Sequence, residues 1–259
     1  MNISITGPGV YFTIPILGGI RISQTAVALL AVTILLIVGA FIVTRRIEKR
    51  TGRLQVVIEK LVTMLYDLVE STMGKHNLKF APYIGALFLS SLFGSLIGLT
   101  QIFRSTTGDL SVTLAWALAT TGMVWYCNIK NFGFKAWLKG FTEPIAVMTP
   151  MNIVSEIANP ISMAFRHFGN VAGGSVLMSV IYAALAALSS VIFGWIPGLI
   201  GTIPFFQVGI PAVLSIYFDL FSGFVQAFVF CLLTMIYVGA ANPPAEELPV
   251  RNKKSKKQK

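Results

Sequence analysis

Five stretches of the chain are apolar over a length that crosses a bilayer, and a sixth alternates apolar and polar positions at helical spacing. Residues 23–43, 82–102, 111–128, 150–188 and 208–241 each offer at least roughly the 17–25 apolar positions that a spanning helix needs. In residues 54–73, Leu54, Val57, Ile58, Leu61, Leu65 and Leu68 form one apolar stripe, interrupted by Glu59, Lys60, Asp67 and Glu70. That pattern predicts an interfacial amphipathic helix, lying on the membrane surface or against a partner. Residues 189–206 are apolar but broken by Gly194, Pro197, Gly198, Gly201 and Pro204. They read as a hairpin connection or re-entrant piece at the outer surface, so that the last two helices form a long hairpin.

The predicted fold is an all-α polytopic membrane protein of five membrane-crossing helices plus one interfacial helix. Residues 1–259 form a single membrane domain that ends in a basic tail, 245–259. Composition agrees: 55% of the residues are hydrophobic and 12% charged, too apolar for a soluble domain of this size. The formal net charge is +10, and its distribution is more informative than its size. Residues 44–80 hold eight Lys and Arg, residues 129–143 three and the tail six, seventeen of the twenty in all. Positive charge stays inside, so the N-terminus is expected outside and the C-terminus in the cytoplasm.

No Walker loop, zinc motif or nucleophile elbow appears. Cys127 and Cys231 lie in apolar segments without metal-ligand spacing and read as small core residues. No cofactor or metal is expected, and a short basic tail behind a membrane helix does not point to nucleic acid.

Chemistry concentrates in residues 152–174, NIVSEIANPISMAFRHFGNVAGG. From Pro144 to Ala245 the only charged residues are Glu156, Arg166 and Asp219. On a helix, Asn152, Ser155, Asn159, Ser162, Arg166, Gly169, Asn170 and Gly173 share one line, because residues three and four apart share a face. Small and polar stripes also serve helix packing, which accounts for the serines and glycines but not for the arginine. An Arg at the bilayer centre costs about 2.5–3.5 kcal/mol even on lenient scales and marks a functional site with a partner. It stays protonated, so Arg166 attracts, repels or gates but does not shuttle a proton. Pro160, inside this helix, is expected to bend it or free a carbonyl. A second line, Ser215, Asp219, Ser222, Gly223 and Gln226, runs along the final span. Asp219 there reads either as a proton relay or as a structural carboxylate, neutral or paired with Arg166.

The run FRHFGNVAGG, preceded by NPIS, resembles the motif around the intramembrane arginine of subunit a of F-type ATP synthases. QAFVFCLLTMIYVGAA, residues 226–241, is similar to the last helix of the same subunit. By this resemblance Arg166 takes the place of the family's arginine, Asn170 of its asparagine and Gln226 of its glutamine. Where the family often has an acidic residue or histidine this chain has Ser175, with Asp219 at the partner position. His167 stands where the family usually has an aliphatic residue, and its direction about 100° from Arg166 reads as a packing or surface histidine rather than a relay.

The resemblance implies a non-catalytic stator that carries protons to and from the carboxylates of a rotating ring. An outer half-channel would be lined by Asn170, Ser175, Asp219 and Gln226, and an inner one would lie near Ser155, Glu156 and Asn159. The implied partners are the c-subunit ring, the b-subunit peripheral stalk, the remaining ATP synthase subunits and the lipid bilayer. The alternative is a secondary transporter with Arg166 and Asp219 at a midplane site. Against it stands the absence of an internal repeat of the kind such folds show. A purely structural anchor would leave the three intramembrane charges without a purpose.

Overall fold

One helix of 45 residues, Thr149–Phe193, carries the polar stripe through the protein. The computed structural model describes residues 9–15, 20–49, 52–100, 103, 105–143, 145–193, 214, 217–244 and 246. In chain order these form strands β1 (Val10–Ile14) and β2 (Ile20–Ser23), then α1 (Gln24–Lys49), α2 (Arg53–Met73) and α3 (Ala81–Leu96). They continue with α4 (Leu110–Phe132), the short α5 (Phe134–Gly140), α6 (Thr149–Phe193), a π-helical turn Tyr217–Ser222 and α7 (Gly223–Ala241). Among the described residues, five helical segments are long and apolar enough to cross a membrane: Gln24–Arg46, Lys75–Thr100, Leu110–Phe132, Ala146–Phe193 and Leu220–Ala241. The protein is therefore a multi-pass helical membrane protein, with α2 as its amphipathic helix outside the spanning set.

Several boundaries differ from the sequence expectation for physical reasons. A two-stranded antiparallel hairpin, Val10 opposite Ser23 and Ile14 opposite Ile20, precedes the first span. Ser23 ends β2 and caps α1, its Oγ accepting from the Ala26 N–H at 3.2 Å. The first helix does not stop at the basic cluster but runs to Lys49, since Arg, Lys and Glu are good helix formers. Gly74 stops α2: its N–H donates to the Glu70 carbonyl at 2.9 Å, and its φ of 81° suits a residue without a Cβ. The long helix continues through Pro160 and past the expected end near residue 188 to Phe193. The hairpin connection proposed beyond it, the start of the last span before Tyr217 except Leu214, Ser215 and the basic tail beyond Glu246 lie outside the described residues.

The helices gather into two compact units. One takes the described residues of Met1–Val32, Ser91–Asp109 and Arg166–Ala227; the other takes those of Thr33–Ser90, Leu110–Phe165 and Phe228–Lys259. The division falls inside α6, after Phe165, and inside α7, after Ala227.

The second unit holds the larger apolar core. Val69 and Met73 from α2, Ile84 and Leu87 from α3, Met163 from α6, and Phe230, Met235 and Val238 from α7 are buried together. Trp116 of α4 meets the Phe230 ring edge-on, centroids 6.4 Å apart. At the end of α7 a group of buried amides replaces apolar packing. Asn131 donates through Nδ2 to the Ala241 carbonyl at 3.0 Å and to Asn242 Oδ1 at 2.7 Å. Asn77 donates to the Met73 and Asn242 carbonyls at 2.8 and 3.1 Å, and Asn242 returns a donor to Asn77 Oδ1. The last carbonyls of a helix lack intrahelical donors, and in an apolar site each unmet one is costly. These three amides supply the missing partners for α7 and α2 together.

The first unit is smaller, and polar side chains tie its elements together. Thr25 of α1 donates to the Asp109 carboxylate at 2.6 Å. Ser95 exchanges a hydrogen bond with Thr107 at 2.9 Å, and Thr107 another with Ser105 at 2.9 Å. Gly94 permits this approach of loop to helix: a Cβ there would collide with Thr106 Oγ1.

Candidate functional site

The polar stripe of α6 is turned away from the protein's own core. Ser155, Asn159, Ser162, Arg166, Gly169, Asn170 and Gly173 are all exposed, and Asn152 at the end of the line is half-buried. The buried residues of this stretch are Pro160, Met163, Ala164 and His167, on the other side of the helix. Helical periodicity accounts for the separation into two faces. Lys75 pairs with Glu70 and Lys139 with Glu143, and neither pair involves Arg166.

His167, next in sequence to Arg166, points about 100° away from it and into the interior. It is 0% exposed, and its Nε2 lies 3.1 Å from Ser91 Oγ of α3. The expectation of a packing histidine agrees with this position.

In the first unit, which takes α6 from Arg166 onward, two expected site residues meet directly. Asn170 Nδ2 donates to Gln226 Oε1 at 2.6 Å, joining α6 to α7. Gln226 is 5% exposed, so this bond supplies a partner that a buried amide oxygen requires. Ser175 is exposed, and its Oγ donates back to the Ala172 carbonyl of its own helix at 2.7 Å. Asp219 falls in the π-helical turn Tyr217–Ser222, immediately before α7, and its side chain lies outside the described set. Such turns commonly occur at functional sites in helices.

The other expected group lies in the second unit, around two clefts. Glu156 and Asn159 line a cleft of about 250 Å³, together with Thr120, Thr121, Asn128 and Tyr237. Ser155 and Glu156 line a larger one of about 750 Å³, with Asn128, Lys139, Glu143 and Asn152. Asn152 also ties α6 to the preceding loop, its Nδ2 donating to the Phe141 and Glu143 carbonyls at 2.9 and 3.0 Å. The Glu156 carboxylate accepts through Oε1 from the indole N–H of Trp125.

The sequence reading did not single out Trp125, Asn128 or Ser91. A signal existed for the α4 pair: Trp125 and Asn128 are three apart on an apolar helix, hence on one face. For Ser91 there was none, because a lone serine on an apolar helix is common.

The described residues thus offer two clefts lined by Glu156 and an exposed cation, Arg166, on a stripe of small and polar side chains. Residues 25–239 match the family model described as ATP synthase A chain. The chain is 31% identical over 223 residues to ATP synthase subunit a 1 of Crocosphaera subtropica, covering 85% of this chain and 87% of that one. To the sodium-ion-specific ATP synthase subunit a of Propionigenium modestum it is 32% identical over 220 residues, 79% of this chain and 69% of the other. To ATP synthase subunit a of Moorella thermoacetica it is 29% identical over 222 residues, 86% and 92% of the two. With the matching family model covering most of its length, five spans and this polar stripe, the chain belongs to the ATP synthase A chain family.

Proposed function

We propose that Arg166 and the stripe around it form the ion-transfer face of this stator subunit in an F-type ATP synthase. The observation that carries the reading is the exposure of Arg166 on a helix whose other exposed side chains include Ile157, Ile161 and Phe165. Bilayer lipid is a poor neighbour for a permanent cation, and intramembrane charges turn toward a partner or water. The partner that fits is a c-subunit ring carrying membrane-embedded carboxylates, with a b-subunit stalk holding the stator still.

Beside Arg166 a ring carboxylate is favoured as the anion. Rotated into lipid it must be protonated or ion-bound, because a bare charge there is too costly. The ring therefore loads from one polar path and unloads to the other. The outer path is assigned to Asn170, Ser175, Asp219 and Gln226, and the inner one to Ser155, Glu156 and Asn159. Arg166, always charged, stands between them against leakage. One charge crossing 100 mV yields about 2.3 kcal/mol, so each ATP requires several crossings. No covalent bond is made or broken on this subunit, which is non-catalytic. The chain sits in the bacterial plasma membrane with its N-terminus outside and C-terminus in the cytoplasm.

Arg166→Ala tests this. ATP synthesis driven by an imposed ion gradient should be abolished in membrane vesicles that hold normal amounts of the assembled complex. Near-parental synthesis would overturn the assignment.

A further inference from the structure

The two clefts of the second unit share two side chains, Asn128 of α4 and Glu156 of α6. An ion or proton passing from one cleft to the other meets this pair. Glu156 is held there from α4 by Trp125, whose indole N–H donates to Oε1. Trp125 is in turn braced by α5: its ring lies 6.1 Å from that of Trp137, which meets Phe141 edge-on at 5.1 Å. A third cleft, between Trp125, Trp137, Phe141 and Ile157, also reaches Glu156 but is almost wholly apolar, so it offers no competing route. Pro160 adds to the neck: lacking an N–H, it cannot bond the Glu156 carbonyl one turn back, and it lines the smaller cleft with that residue.

We infer that Trp125 is a positioning residue for ion transfer, fixing the Glu156 carboxylate at the neck, where it and Asn128 line both clefts. The inference rests on the reading of Glu156 as part of the inner path. An indole N–H only donates, so Trp125 passes no proton itself; it occupies Oε1 and leaves Oε2 as the acceptor that takes and returns the transferred species. A hydrogen bond to an ionised carboxylate is about twice as strong as a neutral one, and a braced ring holds it in one geometry. The other titratable groups around the neck are Tyr237 in the smaller cleft and Lys139 and Glu143 in the larger.

The test uses the whole ATP synthase in inverted vesicles, with ATP-driven membrane potential followed by a voltage-sensitive dye across a range of pH. Trp125→Phe keeps the aromatic packing but removes the donor. It should slow charge transfer roughly tenfold, the order expected for one hydrogen bond to a charged group, and should move the pH profile. Trp125→His, which restores a ring N–H, should recover part of the rate. Glu156→Gln should also be slow, and adding Trp125→Phe to it should slow it no further, because the indole acts only through the carboxylate. A parental rate and profile in Trp125→Phe overturns the inference and leaves Glu156 in the path. So does a double variant slower than Glu156→Gln by the same factor, which would mean packing alone. A parental rate in Glu156→Gln overturns the inner-path role of Glu156 and this inference with it, while the role of Arg166 is judged separately by Arg166→Ala.

Discussion

The side chains of Asn170 and Gln226, 56 positions apart, share a hydrogen bond of 2.6 Å in which the asparagine amide donates to the glutamine oxygen. Asn170 belongs to the exposed stripe of α6 and Gln226 is buried, so the bond ties an exposed polar position to an interior one. It also orients Gln226: with Oε1 engaged, its amide N–H groups are directed elsewhere.

That pair should behave as a unit. Gln226→Leu removes the acceptor and is expected to cost about 1 kcal/mol in the α6–α7 contact, the usual size of an interhelical hydrogen bond in membranes. Once Gln226 is gone, Asn170→Ala should cost almost nothing more. Thermal stability of the purified complex, measured for both single variants and the double, checks this. Strictly additive losses would show that the bond contributes nothing.

Asp219→Asn keeps shape and hydrogen bonding but removes titration. Ser175 cannot take over, since a hydroxyl does not ionise in this range. Coupled transport should fall steeply, and Ser175→Glu introduced beside Asp219→Asn should restore part of it if both positions face one path. ATP-driven pumping by the single variant at several pH values is the measurement. Parental pumping throughout would make Asp219 structural.

His167→Leu should leave ATP synthesis within about twofold of the parent, because a histidine buried against Ser91 is a packing element. Its cost should appear as stability, about 1–2 kcal/mol for a hydroxyl left without its partner in the core. A loss of coupling as deep as that of Arg166→Ala would instead put His167 on the ion path.

The distribution of basic residues carries the proposed orientation. A cysteine introduced at Ser255 should be shielded from impermeant thiol reagents in intact cells, and one at Ser4 should be labelled. Labelling at Ser255 from outside would reverse the topology and exchange the outer and inner paths.

Much of this protein is legible one residue at a time. Apolar runs of spanning length and the one-sided basic charge point to five crossing helices. The 3.6-residue period alone places Arg166 on one line with Asn159 and Asn170, and His167 off it. These are local properties: each depends on residues within a few turns of one helix.

Packing alone decided the rest. Periodicity says which residues share a face, but not what that face meets, so the outward direction of the Arg166 stripe emerges only when Met163, Ala164 and His167 fill the interior side. The Trp125–Glu156 bond joins residues 31 apart, and the Asn77–Asn242 clasp joins residues 165 apart. Neither leaves a trace in the sequence around it. A buried amide or carboxylate must find a partner, yet any donor of the right reach would serve, and only the folded chain selects Trp125 for Glu156 and Gln226 for Asn170.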